Sequence, residues 1–427
     1  MNTNDSIKAQ LAGQWAGFDP NELVSDATGN LISNRGDWDP PAGIEPKRPL
    51  IHMAIGIPDA GTLPKDDFLK STRKVITRPG EAAFIYGFGM GYAKLRAQLA
   101  ERYSRNRGLQ VDEEWFQLTN GSSGAIDLIC RTLINPGDVI ITESPTYMGT
   151  LRNFRGVLAQ IKSVPMDEDG MLMDELEAVI VATQAAGKTI KFIYTISTFQ
   201  NPTGATLSQE RRIELLKLAA KHRVLILDDD AYGELYFGAK PPTSLSALSA
   251  GHGVITVGTL SKTLATGLRV GWIHGRPDLI RLMGKMRFAM GLNQMVVRLI
   301  ADYMSDRTLD DHTDEVRDLY RRKMEVLTGA LETHAGDLIS FDRPLGGFYL
   351  WVKLHQGLTA DAVWRTATHE GVSTTPGISF YPARFDPSGE HIRIAFPWTP
   401  MEDLEEGARR FGLACKRVSE GEGLKQR

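Results

Sequence analysis

The sequence predicts an α/β fold in which a mainly parallel sheet is covered by helices on both faces. Short apolar runs at 138–142, 191–196, 224–227, 254–257 and 270–273 have the length and composition of buried strands. Helical stretches lie between several of these runs, an alternation that is typical of parallel sheets. After about residue 320 the pattern changes, which predicts a smaller α+β domain at the C-terminus.

Composition, spacing and capping residues predict the helices. Residues 92–103 are rich in Ala, Leu, Arg and Gln, which favour helix formation. Between residues 126 and 134, apolar side chains recur at i, i+3, i+4, i+7 and i+8, as one buried helix face requires. Ser208 can cap a further helix that runs to His222, with Glu210 in its first turn.

The two ends of the chain differ from its middle. The first fifty residues are rich in Asp, Asn, Gly and Pro, with a helix-breaking cluster at 37–41, so we expect an irregular arm. Near the C-terminus, a long helical stretch precedes a strand-like segment at 391–395 and a closing helix from Pro400. The predicted division is an N-terminal arm, or part of the small domain, at 1–55, a large domain at 56–320 and a small C-terminal domain at 321–427.

Bulk composition excludes several classes of protein. The 427 residues are 42% hydrophobic and 24% charged, as in ordinary globular proteins. The net charge of −3 does not indicate a nucleic-acid or membrane partner, and no apolar run is long enough to span a bilayer. Only two cysteines occur, and no basic stretch followed by an apolar core marks a secretory signal, so we expect a cytoplasmic protein.

The segment around Lys262 is the most informative in the chain. Lys262 follows a buried strand and lies in a loop of small residues with Thr259, Ser261 and Arg269. A phosphate-binding P-loop is excluded, because its motif would need Gly in place of both Thr256 and Ser261. An ordinary surface lysine does not explain two hydroxyls and a guanidinium gathered nearby, a set that is suited to a phosphate dianion.

These residues carry a resemblance to a known family. Thr259-x-Ser261-Lys262, followed by Gly267-Leu268-Arg269, resembles the lysine motif of class I/II aminotransferases, which have the fold type I of pyridoxal phosphate enzymes. The nearest branch contains the 2-aminoadipate and kynurenine aminotransferases, and the resemblance extends from about Gly56 to the C-terminal helix. It implies pyridoxal 5′-phosphate bound to Lys262 as a Schiff base. It also implies amino acid and 2-oxo acid substrates, with 2-oxoglutarate and glutamate as one pair, and a homodimer with shared active sites.

A small-residue segment at 120–124 precedes the predicted helix that contains Ile126. Free backbone N–H groups and the helix dipole at such a start can hold an anion. The resemblance therefore implies that Ser122, Ser123 and Gly124 bind the phosphate, although family members often have Gln at this point. An ordinary capped helix start is the alternative.

Three adjacent carboxylates, Asp228, Asp229 and Asp230, follow a predicted strand. They could form a metal site or a solvated turn, but no histidine lies nearby in the sequence, and we expect no metal. By resemblance, Asp229 pairs with the pyridine nitrogen of the cofactor and keeps it protonated. The resemblance also places Asn201 and Tyr232 at the phenolic oxygen of the cofactor, and the Tyr147 ring on its pyridine face.

Arg393 lies between apolar residues in the strand-like segment 391–395 and therefore needs an anionic partner. The family uses this arginine to bind the substrate α-carboxylate, and an internal salt bridge is the alternative. Asn201 and Gly56 are expected near the same carboxylate. Tyr86 resembles a tyrosine that reaches the phosphate of the neighbouring subunit.

Two other functions remain open from the sequence. Fold type I also supports elimination, decarboxylation and oxidation of amino acids, and Thr266 stands where the family usually has proline. A transcription regulator with an aminotransferase-like domain would need a DNA-binding module. The fifty residues that precede the predicted fold have no basic helical character, so we do not expect one.

Overall fold

The structure is a computed structural model that describes residues 3–31, 39–77, 80–87, 89–287, 291–305, 308–355, 357–382 and 389–424. Its helices are α1 Thr3–Gln14, α2 Asp26–Gly29, α3 Lys65–Thr77, α4 Ala93–Arg107, α5 Gly121–Leu133, α6 Met148–Gly156, α7 Met173–Ala185, α8 Gln209–His222, α9 Leu245–Leu248, α10 Pro277–Lys285, α11 Gln294–Tyr303, α12 Thr308–Ala335, α13 Ala360–His369 and α14 Met401–Ser419. Its strands are β1 Ile51–His52, β2 Phe116–Asn120, β3 Val139–Ser144, β4 Gln160–Asp167, β5 Gly170–Met171, β6 Ile190–Thr195, β7 Leu225–Asp229, β8 Val254–Thr259, β9 Val270–His274, β10 Ile339–Ser340, β11 Tyr349–Leu354, β12 Val372–Ser373, β13 Thr375–Pro376 and β14 His391–Ala395.

An eight-stranded sheet forms the centre of the molecule, in the order β2-β9-β8-β7-β6-β3-β4-β5. The pairs from β8 to β4 are parallel, whereas β9 is antiparallel to both β8 and β2, and β5 is antiparallel to β4. The prediction of a mainly parallel sheet between helices is confirmed. Strands β3 and β8 are buried along almost their whole length, because both faces of the sheet are covered.

A smaller antiparallel sheet follows, in the order β10-β11-β14-β13. One hydrophobic cluster joins it to the large sheet. That cluster contains Tyr194 and Val257 from the large sheet, Phe348 and Ile394 from the small sheet region, and Leu327 from α12. The parallel pairing of β1 with β12 fastens residues 51–52 to this C-terminal part of the chain.

The expectation of an irregular N-terminal arm was partly wrong. Residues Thr3–Gln14 form helix α1, a 3₁₀ turn occupies Pro20–Leu23, and Ser25 caps the short helix α2. Side-chain capping explains two of these elements, because Asp19 and Ser25 each accept a hydrogen bond from a backbone N–H of the following turn. The predicted breaker cluster lies partly outside the described residues. No helix in the described ranges has the length and apolarity needed to cross a bilayer.

A buried lysine in α12 holds the segment after β1 against the C-terminal part of the chain. Lys323 is 1% exposed, and its Nζ donates to the backbone oxygens of Pro397 at 2.6 Å and Thr399 at 2.7 Å. It also forms an ion pair with Asp59. Because three acceptors from two distant segments meet at one ammonium group, we infer that this contact stabilises their packing.

We predict that Lys323→Met lowers the free energy of unfolding by about 2–4 kcal/mol. The substitution keeps an apolar stem but leaves one carboxylate and two carbonyl groups without their donor. Urea denaturation measures the change. Lys217→Met, on the exposed surface of α8, serves as the control and is expected to change stability by less than about 0.5 kcal/mol. Equal stability of Lys323→Met and the native protein would contradict the inference.

Candidate active site

Sheet topology brings the predicted site residues to one edge. The carboxyl ends of parallel strands meet at the same edge of a sheet, and Tyr147, Asn201 and Asp229 follow or end β3, β6 and β7. Lys262 lies in the loop after β8, and antiparallel β9 returns the chain from that edge. Strand β2 is antiparallel to β9, so the start of α5 also lies at this edge.

Lys262 is half-buried where this edge meets the segment after β1. Its Nζ donates to the backbone oxygen of Gly56 at 2.7 Å. The same nitrogen lies 5.7 Å from the ring centroids of Tyr232 and Phe348. Gly56 cannot be replaced by a larger residue without movement, because a Cβ atom there would clash with the hydroxyl of Tyr349. The lysine amine therefore projects into a space bounded by two parts of the chain that are far apart in sequence.

Two buried hydroxyls precede the lysine. Thr259 Oγ1 lies 2.9 Å from Ser261 Oγ and accepts from the Ser261 backbone N–H at 3.1 Å. Both side chains are buried, which fixes the loop that carries Lys262. The hydroxyls predicted from the sequence to lie together are in contact.

Arg269 joins the lysine loop to the start of α5. Its Nη2 donates to the backbone oxygen of Asn120 at 3.0 Å, directly before the helix. Gly121 has a φ of +72°, and a Cβ atom there would lie 2.7–2.9 Å from three atoms of the Arg269 guanidinium. Glycine is therefore required by both its backbone conformation and this close approach. The guanidinium thus lies beside the first turn of α5, which contains Ser122, Ser123 and Gly124.

Asp229 is 5% exposed at the end of β7. Its Oδ2 accepts a hydrogen bond from the hydroxyl of Tyr194 at 2.9 Å, whereas its Oδ1 is buried with no hydrogen-bond partner among the described residues. Burial raises the pKa of Asp229 to about 7, and the hydrogen bond from Tyr194 opposes this shift. A buried carboxylate oxygen without a donor is costly, which indicates that a cationic or donor group belongs beside it.

The neighbours of Asp229 are engaged elsewhere. Asp228 accepts from the hydroxyl of Ser197 at 2.7 Å, and Asp230 forms an ion pair with Arg107. The three carboxylates therefore do not converge on one point. Within the described residues, no group of three or more His, Cys, Asp or Glu side chains is arranged to hold a metal ion.

Arg393 is 0% exposed in β14. Its Nη1 donates to Asn201 Oδ1 at 3.0 Å, and its Nη2 donates to the backbone oxygen of Ala54 at 3.0 Å and to Thr375 Oγ1 at 3.3 Å. Two predicted substrate-binding residues, Arg393 and Asn201, are therefore in direct contact. The guanidinium also lies 4.4 Å from the ring centroid of Tyr349 and 4.7 Å from that of Phe380.

Tyr232, Tyr147 and Tyr86 have different environments. Tyr232 is buried, and its hydroxyl lies 3.1 Å from that of Tyr349. Burial raises the pKa of Tyr232 well above its ordinary value, and the adjacent Tyr349 adds to the shift, so the phenol stays neutral. Tyr147 is half-buried directly before α6. Tyr86 is 70% exposed, next to exposed Ile85.

The sequence did not reveal two residues of this site. Tyr194 donates to Asp229, and Tyr349 contacts both Tyr232 and Arg393. Tyr194 lies within a predicted apolar strand and Tyr349 within a glycine-rich segment, where an aromatic residue is usually part of the core. Only the positions of these tyrosines beside strand ends could have suggested a role.

The residues present fit pyridoxal 5′-phosphate. An amine for the aldehyde is available at Lys262, and the open oxygen of Asp229 suits a protonated ring nitrogen. The start of α5 and the adjacent Arg269 guanidinium suit a phosphate group.

Comparison with known proteins agrees with this arrangement. Residues 48–411 match the family described as aminotransferase class I and II. Aromatic-amino-acid aminotransferase 1 of Thermococcus litoralis is 32% identical over 369 residues, which cover 86% of this chain and 88% of that protein. The chain belongs to the class I and II aminotransferases.

Two solved structures extend the comparison. Kynurenine aminotransferase of Pyrococcus horikoshii, solved with PMP, superimposes with a TM-score of 0.82 at 29% sequence identity. The match covers 96% of this chain and 99% of that protein's chain. The α-aminoadipate aminotransferase of Thermus thermophilus, complexed with N-(5′-phosphopyridoxyl)-L-leucine, has a TM-score of 0.83 at 28% identity, with 94% and 99% covered. The chain is thus a pyridoxal 5′-phosphate-dependent aminotransferase, which confirms the resemblance and the cofactor predicted from the sequence.

We predict that Asp229→Asn stabilises the cofactor-free protein at pH 8. An unperturbed aspartate has a pKa of 3.8, whereas Asp229 in the fold has a pKa of about 7. The folded state therefore binds this proton more tightly than the unfolded state does. Ionisation of Asp229 lowers the free energy of unfolding, and this cost grows as the pH rises from about 4 to about 7. The substitution removes this cost, for a gain of about 1–4 kcal/mol at pH 8 that shrinks as the pH falls below 7.

Urea denaturation at pH 8, 6 and 5 measures this gain. Asp342→Asn, at an exposed position, provides the control and should change stability little at any pH. A loss of stability in Asp229→Asn at pH 8 would show that the ionised carboxylate stabilises the fold without the cofactor.

Proposed function

We propose that this enzyme moves the α-amino group of an amino acid to a 2-oxo acid, with glutamate and 2-oxoglutarate as one donor–acceptor pair. The observation that carries the proposal is the position of the Lys262 amine. It lies at the sheet edge that also contains the open carboxylate of Asp229, and it contacts Gly56, two residues from the Ala54 carbonyl that binds Arg393. An amine, a ring-nitrogen partner and a carboxylate-binding group are the three parts that the reaction needs.

When bound, the cofactor would supply an aldehyde for the Lys262 amine and a protonated ring that withdraws electrons from the substrate Cα. Asp229 holds the ring nitrogen in its protonated form, because an ionised carboxylate raises the pKa of an adjacent base. Tyr194 supports that role by donating to the other carboxylate oxygen. Burial of Asp229 excludes water, which strengthens its interaction with the protonated ring nitrogen.

The remaining residues hold the cofactor at its edges. Arg269 and the backbone N–H groups at the start of α5 bind the phosphate, with the hydroxyls of Ser122, Ser123 and Ser261 as further donors. Asn201 and Tyr232 donate to the phenolic oxygen. Thr259 contacts Ser261 and thereby fixes the loop that carries Lys262. Tyr147 stacks on the ring face. These assignments follow the positions of the side chains at the sheet edge together with the family resemblance.

Lys262 also acts as the acid–base group of the reaction. Its free amine would take up the proton from the substrate Cα and release it again during the reaction. The Gly56 carbonyl, 2.7 Å from Nζ, accepts a hydrogen bond from the released amine and keeps it near the reacting atoms. This contact orients the lysine without neutralising it.

Arg393 binds the substrate α-carboxylate. Its guanidinium is fixed by Asn201, Ala54 and Thr375 and lies near the rings of Tyr349 and Phe380. A planar guanidinium can bind a carboxylate through two parallel hydrogen bonds, which sets the orientation of the Cα bonds. Orientation of the Cα–H bond favours proton removal over loss of the carboxylate.

A homodimer is part of the proposal. Phe84, Ile85 and Tyr86 are three consecutive large side chains that are each at least 63% exposed. A second copy of the chain would remove this apolar surface from water and bring Tyr86 to the phosphate of its site, as the family resemblance implies.

The experiment mixes the purified enzyme carrying its cofactor with L-glutamate alone. We expect about one equivalent of pyridoxamine phosphate and one of 2-oxoglutarate per active site, and a second 2-oxo acid should then restore pyridoxal phosphate. Lys262→Ala should reduce the rate by at least about 100-fold, whereas Lys188→Ala, at an exposed position, should react like the native enzyme.

Three outcomes would contradict the proposal in whole or in part. Release of ammonia or carbon dioxide from amino acids without pyridoxamine phosphate would assign elimination or decarboxylation instead. Full reactivity of Lys262→Ala would remove the lysine from the mechanism. Formation of pyridoxamine phosphate from other amino acids but not from glutamate would keep the reaction and exclude the proposed pair.

A further inference from the structure

Tyr349 lies at the centre of the site, although the proposed roles do not involve it directly. It is a buried residue in β11, and its hydroxyl lies 3.1 Å from the hydroxyl of Tyr232. The two rings are edge to face, with centroids 5.7 Å apart. The Arg393 guanidinium lies 4.4 Å from the Tyr349 ring centroid, and the Tyr349 hydroxyl packs against Gly56. Tyr349 thus contacts Tyr232, Arg393 and Gly56. These residues are expected to bind the phenolic oxygen of the cofactor, the substrate carboxylate and the Lys262 amine, respectively.

Strand register explains how Tyr349 reaches this point. In the pairing of β11 with β14, Tyr349 is opposite Ala395 and Trp351 is opposite Arg393. Tyr349 and Arg393 are therefore diagonal neighbours across the pair, close enough for an aromatic ring and a long side chain to touch. The absence of a side chain at Gly56 leaves room for the hydroxyl.

We propose that Tyr349 is a positioning residue with two separable functions: its hydroxyl strengthens the hydrogen bond that Tyr232 donates to the cofactor, and its ring orients Arg393. This inference rests on the proposed function, because it assigns Tyr232 to the phenolic oxygen of the cofactor and Arg393 to the substrate carboxylate.

Proton counting determines the direction of the hydrogen bond between the two phenols. Each phenol has one proton to donate. If the proton of Tyr232 goes to the cofactor, the Tyr232 oxygen must accept from Tyr349. A donor that itself accepts a hydrogen bond is polarised and donates more strongly, especially in a buried site. Tyr349 therefore stabilises negative charge on the phenolic oxygen of the cofactor without touching it.

Several charged or titratable groups face this pair. Lys262 Nζ lies 5.7 Å from the Tyr232 ring centroid, and Arg393 lies over the Tyr349 ring. Asp229 and Tyr147 act on Tyr232 electrostatically. Because Tyr349→Phe changes none of these groups, it isolates the contribution of the hydroxyl.

The aromatic ring has a different function from the hydroxyl. Arg393 lies over the rings of both Tyr349 and Phe380, at 4.4 and 4.7 Å from their centroids. Two aromatic faces restrict the plane of a guanidinium and attract its charge. Phenylalanine at position 349 preserves this contact, whereas leucine removes it. The two substitutions therefore separate the hydroxyl from the ring.

The first test is a spectrophotometric pH titration of the lysine-bound cofactor. In Tyr349→Phe we expect the pKa of the lysine-bound cofactor to rise by roughly a few tenths of a pH unit. The reason is that its phenolic oxygen loses part of its stabilisation and holds its proton more tightly. Tyr232→Phe should raise it further. Tyr303→Phe, which removes a buried phenol from a separate hydrophobic cluster, should leave it unchanged.

The second test compares the Michaelis constants of Tyr349→Phe and Tyr349→Leu for L-glutamate. We expect the constant to be roughly five- to thirtyfold higher with leucine than with phenylalanine, because only leucine removes the ring beside Arg393. A smaller effect on kcat than on KM would assign the loss to carboxylate binding.

The outcomes distinguish the inference from the proposed function. Absence of a lysine-bound absorbance in the native enzyme would overturn the proposed function itself. A normal native titration with no shift in Tyr349→Phe would overturn the role of the hydroxyl alone. Equal Michaelis constants for the two variants would overturn the role of the ring. If Tyr349→Leu does not fold, the titration of Tyr349→Phe still decides the first function.

Discussion

The parallel pairing of β6, β7 and β8 is the constraint on which the site depends. It places Asn201, Asp229 and Lys262 at one edge of the sheet, although more than sixty residues separate the first from the last. The antiparallel return through β9 and its pairing with β2 then bring Arg269 to the start of α5 at the same edge. Sheet order thus determines which side chains meet, and the loops only adjust their orientation.

Buried charge is a second feature on which the structure depends. Asp229, Lys323 and Arg393 are almost completely removed from water, and each has a different arrangement of partners. Lys323 and Arg393 donate to neutral backbone oxygens, whereas one oxygen of Asp229 has no donor among the residues that the structure describes. The polar groups around Lys323 therefore favour the fold. The open oxygen of Asp229 is unfavourable for folding and instead favours a cationic ligand, a common feature of functional sites.

The sequence predicted the parts of the fold that have local signals. Apolar runs located β3, β6, β7 and β8, and Ser208 correctly marked the start of α8. Strand direction has no such signal, so the antiparallel direction of β9 was not foreseen. Helix α1 was missed because the N-terminal arm has the composition of a loop. The small-residue loop indicated Lys262, but Tyr349 and Tyr232 are 117 residues apart and meet only through the tertiary fold. Contacts of that kind depend on strand register, which periodicity does not specify.

Attachment of the cofactor to Lys262 is tested most directly by reduction of the purified enzyme with borohydride, followed by proteolysis and mass spectrometry of the peptides. Reduction converts a Schiff base into a stable secondary amine, so the modified lysine can be identified. The proposed role of Lys262 predicts a phosphopyridoxyl group on the peptide that contains this lysine. A label on another lysine, or no label after incubation with pyridoxal 5′-phosphate, would contradict it.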